Sequence, residues 1–80
     1  MNIDLARHMV RTSFHVCREL QDLQGFLKNH CDASEYKDHA AGIARAIDAV
    51  QASLLSKAIT AYPELAMEID AAISRYGRYP

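Results

Sequence analysis

From Tyr36 to Ala61 the chain carries apolar residues at Tyr36, Ala40, Ile43, Ile47, Val50, Leu54, Ala58 and Ala61, steps of three and four that an α-helix gathers on one side. A second apolar line, Ala41, Ala44, Ala52, Leu55 and Ile59, falls roughly 100° further round the same helix at 3.6 residues per turn. Two apolar lines call for two neighbours, so this helix is expected to be the central one of an all-α fold. Asp48 shares the phase of Ala44, Ala52 and Leu55, which places it at the rim of the second line, or within it if a cation reaches it.

Either side of that helix the chain has room for two more. Helix 1 is expected from about Ile3 to about His30, with Asn2 or Asp4 near its start and Leu5, Met9, Val16, Leu20, Leu23 and Leu27 on one flank, a face that Ala6, Val10 and Cys17 widen. Gly25 is a candidate weak point near its end. The Cys31-Asp32-Ala33-Ser34 stretch breaks the pattern and offers two N-caps, Asp32, with Glu35 three residues on, or Ser34. Helix 2 is expected over 33–61, ending where Pro63 disfavours helical geometry at Tyr62, and helix 3 over 63–76, with Leu65, Ile69, Ala72, Ile73 and Tyr76 on one face and Gly77 as its stop. Residues 77–80 form a short tail.

The lengths do not match. At 1.5 Å per residue the first two helices are about 40 Å long and the third about 21 Å. A long antiparallel hairpin covered over half its length leaves the other half, lined by Leu20, Leu23, Leu27, Tyr36, Ile43 and Ile47, without a third layer. Residues 1–80 thus read as a single helical domain that dimerises into a bundle, its core or dimer seam being Leu20, Leu23, Leu27, Tyr36, Ile43, Ile47, Val50 and Leu54. Eighty residues are few for a core without disulfides, metal or partner, which points the same way.

Charge and composition narrow the function classes. Nine Lys and Arg against ten Asp and Glu give a net charge of -1, so no global field draws the chain to nucleic acid or an anionic membrane. No apolar run reaches membrane-spanning length and the first residues lack the apolar core of a signal peptide, so a cytoplasmic location is expected. Cys17 and Cys31 on one helix would stand about 21 Å apart, beyond disulfide reach, and are expected as free thiols.

His30, Cys31 and His39 converge near the expected turn and are the residue types that bind zinc, but no C-x-x-C or H-x-x-x-H pair supports a site, so neither metal nor cofactor is expected. Arg7, Arg11, His15 and Arg18 fall at i, i+4, i+8 and i+11, a cationic stripe suited to an acidic protein surface. Exposed Phe26, Met67, Arg78 and Tyr79 are of the aromatic, Met and Arg types that anchor interfaces. With no nucleophile set or phosphate loop, the chain reads as a non-catalytic protein–protein interaction module, a homodimer with a protein partner engaged through Arg7, Arg11, Arg18, Phe26, Met67, Arg78 and Tyr79. A metal- or redox-sensing bundle using His30, Cys31 and His39 is the competing class.

The turn Asp32-Ala33-Ser34-Glu35-Tyr36, followed by an Ala-rich amphipathic helix, resembles the helical hairpin of small type III secretion co-chaperones. That resemblance implies a helical-hairpin fold and a chaperone-like role.

Overall fold

In the computed structural model all 80 residues are described, and the chain is all-α. Helix α1 spans Ile3–His30, α2 Ala33–Val50, a π-helical turn Gln51–Leu55, α3 Ser56–Ala61 and α4 Glu64–Tyr76. Since α2, the π turn and α3 follow one another without a break, three continuous helices result, as the apolar pattern predicts.

The ends are set by local chemistry. The Asn2 side chain accepts from the Leu5 N–H at 2.9 Å, and the Asp32 side chain from the Glu35 N–H at 2.8 Å, so each long helix starts on an Asx cap. The bond from the Glu35 N–H holds the Asp32 carboxyl below its ordinary pKa. Tyr62 is driven to φ -136° and ψ 83° by the proline after it, and α4 begins at once. Gly77 closes α4 at φ 77°, a left-handed conformation costly to any residue with a Cβ, and its N–H donates to the Ile73 carbonyl at 2.8 Å. α1 continues unbroken through Gly25.

The core is small and lies at one end. Ala6, Val10, Ala58, Leu65 and Ile69 form it, with Ile3, Met9, Phe14, Leu55, Ile59, Tyr62 and Tyr79 packed around. Ser13 is buried beside this cluster and satisfies its hydroxyl on the Met9 carbonyl at 2.7 Å. Toward the α1–α2 turn Ile43 is the only buried residue, and Gln24 donates to the Tyr36 hydroxyl at 3.2 Å. With a radius of gyration of 14.7 Å and extents of 44 × 26 × 14 Å, the molecule is elongated. A compact chain of this length would have a radius near 12 Å. No helix is long and apolar enough to cross a membrane.

Three expectations need correction. The helix over 33–61 is not regular. At the π turn the Ser56 N–H reaches back to the Gln51 carbonyl, five residues away, which takes one extra residue into the turn. The apolar seam therefore steps from Val50 to Leu55, a stride of five, and continues through Ala58, Ile59 and Tyr62, while Leu54 is left 40% exposed. The two lines read from the sequence are combined after the turn: Ala58 of the first is buried, and Leu55 and Ile59 of the second pack against the same core.

The second correction follows. Ala41, Ala44 and Ala52 are exposed, so the helix has no second buried face through its first two thirds and is not central there; Asp48 is exposed with them. The third concerns the phase of α1. Ala6, Val10 and Ser13 face the core, whereas Leu5, Val16 and Leu23 are 52%, 39% and 45% exposed. The small residues win that position because they let α1 approach Ala58 closely, and the larger ones beside them are turned out.

Candidate functional site

The cationic stripe of α1 is turned toward its own chain. Arg7 grips Glu68 of α4 with two parallel bonds, Nε to Oε2 at 3.1 Å and Nη2 to Oε1 at 2.7 Å, and also reaches Asp4 at 3.1 Å. The fork geometry favours the ionised carboxylate, so the Glu68 carboxyl lies below its ordinary range and the Arg7 guanidinium is held charged. His15 Nε2 lies 3.3 Å from the Pro80 carbonyl, Arg18 donates to the Tyr79 carbonyl, and the Phe14 and Tyr79 rings stack with centroids 4.5 Å apart at 23°. Three members of the stripe thus bind α4 and the tail. Arg11 is exposed and makes no ion pair.

These contacts enclose a cleft. Phe14, Cys17, Arg18 and Gln21 of α1, Gln51 of the π turn, Ile73 of α4, and Arg78 and Tyr79 of the tail line a cavity of about 250 Å³. Cys17 is a half-buried free thiol, and burial pushes its pKa up. Arg18, Arg78 and Tyr79 are candidates from sequence that the fold brings to one cleft. Gln21 and Gln51 carry no pattern that could have flagged them, and the cleft's shape depends on a π turn that apolar periodicity does not announce.

On α1, residues 7, 14 and 18, which hold α4 and the tail, cluster at one azimuth, and Leu5, Val16 and Leu23 cluster within about 20° of one another roughly 170° away. The latter line is open. Half-buried Met9, Leu20 and Leu27 border it, and Phe26, 57% exposed, stacks on His30 at 4.0 Å on its other margin. Of the remaining seam, Tyr36, Ile47 and Val50 are half-buried. Met67 is 76% exposed and Arg78 lies at the surface.

His30, Cys31 and His39 are not drawn into a cluster: His30 Nδ1 lies 2.7 Å from the Phe26 carbonyl, and no group of three or more His, Cys, Asp or Glu side chains is arranged to hold a metal ion.

A scan of protein-family models, a search of curated proteins and a search of solved structures each find no match for this chain.

Proposed function

We propose that this chain is a non-catalytic helical interaction module whose long helices act as an antiparallel hairpin and pair with a second copy through the open side of α1, completing a bundle. The observation that supports the reading is the apolar line Leu5, Val16 and Leu23, exposed on a chain that buries only seven of its 80 residues. Contiguous apolar patches on soluble monomers are usually small, and larger ones mark binding surfaces.

A second copy suits this line for two reasons. Ala6, Ser13, Leu20 and Leu27 repeat every seven residues, as do Met9, Val16 and Leu23, the a and d spacing of a helical seam. Ala6, Ser13, Leu20, Leu27 and Met9 lean on the rest of the chain, whereas Val16 and Leu23, at the outer edge of the stripe, are open to a partner. Leu5 and Leu23 each lie nine residues from position 14, so two antiparallel α1 helices related by a twofold axis at that level set Leu5 opposite Leu23 and Val16 opposite Thr12. Arg11, Phe26 and Met67, outside this contact, would remain for a further protein partner.

Sedimentation equilibrium at micromolar concentration tests the pairing. The expected result is about twice the 9.0 kDa chain mass, reverting to one chain mass in Leu23→Glu with helicity retained. A monomer throughout, or a Leu23→Glu variant that still dimerises, would overturn the reading.

A further inference from the structure

We propose that the cleft between α1, the π turn, α4 and the tail is a binding site for a small organic anion, a carboxylate or phosphate carried on a flat apolar body. At about 250 Å³ it lies just below the roughly 300–1,000 Å³ of drug-sized ligand pockets, so its occupant is small. One part of its lining is apolar: the stacked Phe14 and Tyr79 rings, with Ile73, offer surface for a ring or short chain.

Charge selects the other half of the ligand. The chain has ten Asp and Glu against nine Lys and Arg, yet none of the ten lines this cleft, whereas two guanidinium groups, Arg18 and Arg78, do. Neither has a carboxylate partner, because both ion pairs of the molecule belong to Arg7. Arg18 donates to the neutral Tyr79 carbonyl. Two guanidinium groups thus line one partly enclosed space with no Asp or Glu in its lining, and an anion there would accept charge-assisted bonds from planar forks suited to carboxylate and phosphate oxygens.

Gln51 adds an independent pointer. It is the first residue of the π turn, and its carbonyl accepts the bond that defines the turn, so the irregularity in the long helix opens on this cleft. Such single π turns occur frequently at functional sites. Gln21 lines the cleft as well. The proposal does not rest on self-association, since the cleft is formed within one chain.

An amide NMR titration of the full chain with four probes tests it: benzoate, phenyl phosphate, benzamide as the uncharged isostere, and inorganic phosphate as charge without an apolar body. Saturable shifts centred on Phe14, Gln21, Gln51 and Ile73 are expected with benzoate or phenyl phosphate, and the tighter of the two identifies the anion. Benzamide and inorganic phosphate should bind at least about tenfold more weakly, as should the aromatic anion to Arg78→Gln and to Arg18→Gln. Arg78 is exposed, so the first variant should keep the wild-type melting temperature. No saturable shift with either aromatic anion, equal binding of benzamide or inorganic phosphate, or undiminished affinity in both variants would overturn the proposal.

Discussion

Deleting Ser53 should leave the fold nearly as stable as before, whereas deleting Ala44 should not, although both residues are exposed and lie on the same long helix. Ser53 sits within the π turn, which already holds one residue more than an α-helix needs. Removing it lets the turn close as regular helix, with Val50 and Leu55 brought to the ordinary spacing of four and Ala58, Ile59 and Tyr62 kept in phase. The change should fall within about 0.5 kcal/mol, the usual range for exposed positions. Ala44 offers no such escape. If the π turn absorbs its loss, residues 45–50 rotate by about 100° and turn Ile47 and Val50 out of contact. Each is half-buried, so each forfeits about half of the 1.5–3 kcal/mol of full burial, about 2 kcal/mol together. If the turn does not absorb it, Ala58 is rotated away from Ala6, Val10 and Leu65 instead, with at least comparable loss. For a domain of this size about 2 kcal/mol lowers the melting temperature by roughly 8–16 °C. Thermal unfolding followed by circular dichroism measures both variants, and equal losses, or a greater loss for the Ser53 deletion, would refute the register argument.

Ile43→Asp should unfold or strongly destabilise the chain while Arg45→Asp changes little, because Ile43 is the one buried residue at the turn end and Arg45 is exposed; chemical denaturation of both variants checks this, with several kcal/mol expected for the first and about 0.5 or less for the second. The Glu68 carboxyl is held below its ordinary pKa by Arg7, so its contribution to stability is fully present above the unfolded value of about 4.3 and lost as pH falls through the lowered folded one. Glu68→Gln should therefore melt below wild type at pH 7, and the gap should close in acid. EDTA should leave the melting temperature unchanged, and His39→Ala, at an exposed position, should shift it by no more than about 1 kcal/mol implies; loss of helicity on chelation would revive the metal-sensing reading of His30, Cys31 and His39.

The elements and their ends were legible because caps and stops are local chemistry: Asn2, Asp32, Pro63 and Gly77 act on the few backbone groups beside them. Azimuth was less legible. On α1 the large residues Leu5, Val16 and Leu23 make the stronger apolar signal, yet tertiary packing prefers Ala6, Val10 and Ser13 against Ala58, since close approach needs small side chains on both helices. The phase shift at Gln51–Leu55 was visible only as a second apolar line, Leu55 and Ile59, which periodicity alone assigns to a second face. The cationic stripe was legible as a stripe, but its contacts lie some sixty residues away on α4 and the tail, and no local pattern links Arg7 to Glu68 or Arg18 to Tyr79.

The claim that the open side of α1 pairs with its own copy is tested most directly by intermolecular contacts in a mixed sample. Isotope-filtered NOE spectroscopy on an equimolar mixture of labelled and unlabelled chains should give cross-peaks between the methyl groups of Leu5 in one copy and Leu23 in the other, with Val16 near Thr12. Intermolecular peaks confined to Met67, Ile73 or Tyr76 of α4, or none at concentrations where the chain is shown to associate, would contradict the account.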